Sequence, residues 1–235
     1  MIKLKSKILV AFTTLMAVVS ACMPMSVRAA DLPPSRQTVG SWSVSTLARS
    51  TADWKLEAYK LDKGIVAWTE TSAIGSKRRL YAFDGVSTRM LAEMAASEWG
   101  GDSSGFVEAV KGDFDVADGL VVWTMNDGND REIYSFDGDA VKKVSDNSYD
   151  DRHPITNAGR IAWTSQPNAG GAYNLMLKDA KGTQRVAAWH AMNYAFSGKT
   201  LYWLNKLPSE NWMRVFRNDG NSTLAIGEGD DRPMP

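Results

Sequence analysis

The chain has 235 residues, 27 basic and 27 acidic side chains, two histidines and one cysteine. The charge is balanced and no basic block stands out, so nucleic acid and anionic lipid surfaces are not expected partners; a lone cysteine excludes an internal disulfide. Nine Trp, seven Tyr and seven Phe supply the apolar area that must hold the fold instead.

In chain order, the first element is a leader. Lys3, Lys5 and Lys7 precede the apolar run "ILVAFTTLMAVVSA" (Ile8–Ala21). That run is short of the roughly 20 residues a membrane-spanning helix needs and reads as the core of a secretory signal peptide. Two cleavage patterns compete. "VRAA" (Val27–Ala30) predicts a cut after Ala29, giving a signal peptide over 1–29. "VSAC" (Val19–Cys22) resembles a bacterial lipobox, which makes the signal 1–21 and Cys22 the lipidation candidate. Either way the expected location is extracytoplasmic, periplasmic or secreted, with membrane attachment only through a lipid at Cys22. Removing Lys3, Lys5, Lys7 and Arg28 leaves 23 basic against 27 acidic residues, a net charge of −4.

Residues 30–54 form an N-terminal segment. Within it "SWSVSTLA" (Ser41–Ala48) reads as one spare strand, the expected means of closing a ring. From residue 55 to 235 the chain repeats. "GIVAWT", "GLVVWT", "GRIAWT" and "GKTLYWL" align on Trp68, Trp123, Trp163 and Trp203, spaced 55, 40 and 40 residues apart. Each copy runs on to an Asp (Asp84, Asp137, Asp179, Asp219), 16, 14, 16 and 16 residues after its Trp. Further short segments precede each Gly and follow each Asp. Four short strands per unit of about 40 residues is the pattern of a β-propeller blade. In Glu132–Phe136, Ile133 and Ser135 point one way while Glu132, Tyr134 and Phe136 point the other, the alternation of a strand. The fold class is therefore all-β, a β-propeller of four blades, with a five-bladed or incomplete ring as the alternative. A Trp at one register in every unit is expected to pack between blades.

"DGNDREIYSFDG" (Asp127–Gly138) resembles the TolB-type, WD40-like propeller repeats of exported bacterial proteins, which carry a similar Asp-Gly-Asn loop before an Ile-Tyr strand. The resemblance is clearest over Gly119–Pro154, weaker in the unit starting at Gly64 and weakest in the last two. The Trp-Asp dipeptide and its Gly-His partner are absent. The resemblance implies protein binding or scaffolding and no catalytic residue.

Propeller topology places the longer loops on one face: Glu70–Arg78, Met125–Arg131, Ser165–Tyr173 and Asn205–Asn211, together with fifteen extra residues of the first unit within Ala92–Gly112. Loops on a rigid scaffold are where binding concentrates. The binding-face candidates are Trp99, Asp102, Asp127, Asn129, Asp150, Asp151, Arg152, His153 and His190. No nucleophile elbow, phosphate loop or paired histidines occur, so no catalytic or metal residue is assigned. "NDGNDRE" (Asn126–Glu132) has the flavour of a calcium loop. It lacks the alternating oxygen ligands, the sixth-position Gly and the twelfth-position Glu of that pattern, and no cofactor is expected. The expected function is non-catalytic binding of an envelope or extracellular protein or a glycan. The alternative is a carbohydrate-active hydrolase or lyase using carboxylates near the channel mouth.

Overall fold

The computed structural model describes residues 35–39, 42–95, 114–167, 171–188, 192–205 and 212–226. The leader with Cys22, the inserted segment with Trp99 and Asp102, and His190 lie outside them. Among the described residues every regular element is a strand.

A hairpin of β1 (Ser35–Val39) and β2 (Trp42–Thr46) comes first. Four four-stranded antiparallel sheets follow, each built from consecutive strands. Blade one holds β3 (Trp54–Asp62), β4 (Ile65–Ser72), β5 (Lys77–Phe83) and β6 (Thr88–Ala95). Blade two holds β7 (Phe114–Ala117), β8 (Leu120–Asn126), β9 (Arg131–Phe136) and β10 (Val141–Lys143). Blade three holds β11 (Asp150–Asn157), β12 (Arg160–Gln166), β13 (Asn174–Asp179) and β14 (Gly182–Ala187). Blade four holds β15 (Met192–Ser197), β16 (Thr200–Asn205), β17 (Arg214–Asn218) and β18 (Thr223–Ile226).

The turn chemistry explains the register. The first hairpin of blades one to three turns through two residues of positive φ, as at Asp118 (53°) and Gly119 (82°), the twist that a two-residue hairpin needs. The outer hairpins turn on an Asp whose carboxylate accepts backbone N–H groups beyond it: Asp137 takes those of Asp139 and Ala140 at 3.1 Å each, and Asp179 that of Lys181 at 2.8 Å.

The second strand of each blade carries the repeated Trp. Trp123, Trp163 and Trp203 are essentially fully buried, each against the blade before its own. Trp123 clusters with Ala67, Leu80 and Ala82 of blade one, Trp163 with Val122 and Ile133 of blade two, and Trp203 with Ala162, Leu175 and Leu177 of blade three. Three of the four Trp rings stack on the aromatic opposite them on the third strand: Tyr81 at 5.4 Å, Tyr134 at 6.0 Å and Phe216 at 5.7 Å between centroids. Among the described residues Trp68 is covered not by a blade but by Leu47 and Ala48 of the N-terminal segment.

Polar groups join the blades along their inner strands. Asp62 Oδ2 accepts the Asp118 N–H at 2.6 Å, and Asp118 Oδ2 accepts the Ala158 N–H. Asp115 bridges Lys60 and the Thr156 N–H at 2.9 Å each. Arg160 ties blade three to blade four through the Lys199 and Asn218 carbonyls and the Asn218 side chain.

Trp42–Thr46, within the expected closing strand, forms β2 and pairs with β1, and among the described residues blade four holds four strands of its own with β18 outermost. Among the described residues, the substantial contacts between blades run one to two, two to three and three to four.

Candidate functional site

Antiparallel strands reverse at every turn, so the links between second and third strands open on the same face as the links from one blade to the next. Of the described residues, loops 73–76 and 127–130, the link 144–149, and residues 171–173 and 212–213 lie on this face. The first two are shorter than the sequence suggests. Strand pairing continues to Thr71↔Arg78 in blade one and to Asn126↔Arg131 in blade two, which absorbs the ends of the expected loops into the sheet.

Among the described residues, a strongly polar part of the face is where blade two meets blade three. Loop 127–130 is wired to itself. Asn126 Oδ1 accepts the Gly128 N–H at 2.7 Å, and Asp127 Oδ1 accepts those of Asn129 at 2.9 Å and Asp130 at 3.2 Å. Gly128 has φ of 104°, which a side chain would strain. The other Asp127 oxygen accepts the Lys143 ammonium at 2.8 Å. That bond, with the two backbone donors, holds the Asp127 carboxyl down to about 2 and raises Lys143. Asp127, Glu132 and Asp146 bring one oxygen each to within 4.8 Å of one another, a grouping of the kind that binds cations. Lys143 reaches all three, at 2.8, 3.9 and 2.5 Å. The chain's own ammonium thus places a positive charge where a cation would bind.

Beneath the loop, Glu132 is fully buried and accepts the Ser145 hydroxyl and the Asn147 N–H, the latter at 2.6 Å. Ser145 in turn accepts the Ile133 N–H at 2.9 Å. Burial raises the Glu132 pKa above its ordinary value despite these donors. Asp151, also fully buried, accepts the Asn147 side-chain amide at 2.9 Å, and burial raises it too. Both carboxylate oxygens of Asp130 are shielded and have no hydrogen-bond donor. Its pKa is raised, first by burial and then by the charges of Asp127, Asp150 and Asp151. Asp150 is the paired member. Arg152 lies at 2.7 Å, Arg131 at 3.4 Å and the Arg131 N–H at 3.1 Å; against the upward pull of burial, these hold its pKa below the ordinary value.

The binding-face candidates separate on this framework. Asp127 and Asn129 sit in the loop, Asn129 exposed. Asp150 and Arg152 pair at the boundary between the two blades, partly exposed. Asp151 and His153 lie beneath the surface. His153 occupies a bulge in β11 with φ of 55°. Its Nδ1 is 3.3 Å from Thr164 Oγ1, and its carbonyl accepts the Tyr194 hydroxyl of blade four. Asn193, at φ of 47°, fills the equivalent bulge in β15, which makes the irregularity part of the repeat.

Sequence reasoning passed over Lys143, Ser145, Asn147 and Asp146. It also passed over Glu132 as a buried group, although a Glu sharing a strand face with Tyr134 and Phe136 was the available signal. The exposed apolar side chains of this face were missed as well: Ile74 in loop 73–76, Tyr149 in the link to blade three, and Trp212 and Met213 before β17.

Four sheets of four sequential strands, each laying its Trp face on the sheet before it, set the architecture. A prolyl endopeptidase structure is similar to it, with TM-score 0.53 at 11% identity over 83% of this chain and 32% of that one. The fold is a β-propeller. The propeller is also similar to the β-propeller domain of the Trilobed protease from Pyrococcus furiosus, with TM-score 0.49 at 11% identity over 73% of this chain and 54% of that one. A TolB structure from Agrobacterium tumefaciens matches with TM-score 0.40 at 13% identity, over 69% and 60% of the two chains. The chain spans less than two thirds of each of these structures, and likeness at such identities concerns fold alone. No protein-family model matches the chain, and neither does any curated protein.

Proposed function

We propose that this propeller is exported and acts without catalysis, binding an envelope or extracellular protein or a glycan through the face that carries loops 73–76 and 127–130, the link 144–149 and Trp212. One observation carries the reading: most of the acids of that face are engaged internally. Asp127 is held by Lys143, Asp150 by Arg131 and Arg152, and Glu132 by Ser145 and Asn147. Apolar and aromatic side chains stand exposed beside them: Ile74, Tyr149, Trp212 and Met213. Large amphipathic rings on a rigid scaffold suit contact recognition. The TolB-type resemblance of Asp127–Gly138 and the signal-like leader agree with a role outside the cytoplasm.

The test is capture from envelope extract beside a glycan array, with glycan turnover measured on the same preparation. Capture of a protein or glycan without turnover supports the reading. Turnover that is abolished in Asp130→Asn would replace it with the hydrolase alternative, since Asp130 is the acid of this cluster without a donor. N-terminal sequencing of the native protein settles the address: a start at Ala30 indicates a soluble exported form, and a blocked, lipid-bearing Cys22 an anchored one.

A further inference from the structure

The repeat supplies its own standard for what a blade face normally touches. At the register beside the Trp row, blade two places Val116 and blade three Thr156, 8% and 4% exposed, each facing the preceding blade. Blade one places Leu61 at that register, and it is 50% exposed. Met90 pairs with Tyr81 on the same face and is likewise half exposed. The equivalent outer-strand residues of blades two and three are Lys143 and Arg185, the polar choice expected where a rim faces water. Leu47 and Ala48 cover the Trp68 cluster of this face but leave Leu61 and Met90 open.

The far face of blade four shows the complementary pattern. Its third strand places Val215 at the register that Leu80, Ile133 and Leu175 occupy in the first three blades. Those three are 0% exposed, each buried against the next blade, whereas Val215 is 39% exposed. Beside it Ile226 is 44% exposed, where Ala92 and Ala187 are 6% and 5%. Among the described residues, blade one thus presents an uncovered Trp-side face and blade four an uncovered receiving face.

We propose that these two faces meet between copies of this chain, blade one of one copy seating on blade four of another, and that two copies close into a head-to-tail pair with two such junctions. Three observations select this occupant. Every blade contact inside the chain is head to tail, a Trp-side face on a receiving face, and never like on like. The two open faces are the two halves of that same junction, so their union continues an interface already present three times. Within one chain, the substantial blade contacts among the described residues leave blades one and four apart. A heterologous contact closes or grows into a filament according to its rotation, and a pair that exchanges both junctions leaves neither face open.

The purified chain should sediment at twice the mass of a single copy. Leu61→Glu and Val215→Glu, at opposite ends of the molecule, should each bring it to the single mass with the far-ultraviolet spectrum and melt retained, since neither side chain is buried within one copy. In a Cys22→Ser background, Leu61→Cys and Val215→Cys chains should cross-link to each other when mixed, and neither to itself. Four results would overturn the proposal: a single-mass species at every concentration, a ladder of higher polymers, a doubled mass unmoved by both Glu variants, or cross-linking of the double-cysteine chain within itself.

Discussion

Lys143 and Glu132 illustrate how a single residue fixes the polar edge of the second blade. Lys143 lies among three carboxylates, so Lys143→Met leaves Asp127 and Asp146 facing the buried Glu132 without a cation. A lower melting temperature at neutral pH is expected, read by circular dichroism, and added calcium could restore part of it by entering the same oxygens. The pH profile carries two opposite signs. Asp127, held down to about 2 from its ordinary 3.8, contributes stability that is present above the ordinary value and is lost as pH falls through the lower one. Glu132, Asp151 and Asp130 are raised, so the folded state resists their ionisation and stability declines as pH rises from the ordinary carboxylate value through their raised ones. The melting temperature of the native chain should therefore be highest on the mildly acidic side of neutrality. Glu132→Gln should flatten the decline toward neutral pH and leave the acid limb in place; an unchanged slope would remove Glu132 from the account.

At the scale of strands and sheets, the second strand of each blade carries the energy. Trp123→Ala and Trp163→Ala should each cost about 3–5 kcal/mol, the usual range for an aromatic removed from a packed core, measured by chemical denaturation. Trp68→Ala should cost less, because its ring is covered by Leu47 and Ala48 in place of a whole sheet. Equal losses at Trp68 and Trp123 would mean that the first blade is covered as fully as the others. The blades were legible in the sequence for a physical reason: Gly and Asp punctuation with a Trp at fixed register reports strand length and turn type directly. The paired β1 and β2 were not, since Ser35–Val39 has little apolar pattern and only Ser41–Ala48 looks strand-like alone. The left-handed bulges at His153 and Asn193 carry no local signature, and His153 therefore read as a binding-face candidate when it is buried at a blade boundary. The ends of the first two loops were also misread, because Glu70, Lys77 and Arg78 are polar residues paired within the sheet.

Across the whole molecule, charge and apolar surface are arranged differently on the two faces. Charged groups of the loop-bearing face are largely engaged between neighbouring segments, while Tyr149 and Trp212 stand exposed above them; on the opposite face Val86 is the exposed apolar residue of an otherwise tight Asp turn. Composition revealed the charge balance but not this sidedness, which depends on which end of each strand a loop leaves from. The central claim is that partners meet the loop-bearing face. Its most direct test is the affinity of the captured partner for three forms of the chain: native, Tyr149→Ala with Trp212→Ala, and Val86→Ser. The paired loop-face substitutions should weaken binding at least tenfold, on the order of 1.4 kcal/mol, with Val86→Ser indistinguishable from native. Unchanged affinity in the paired variant together with a loss in Val86→Ser would place recognition on the opposite face and contradict the account.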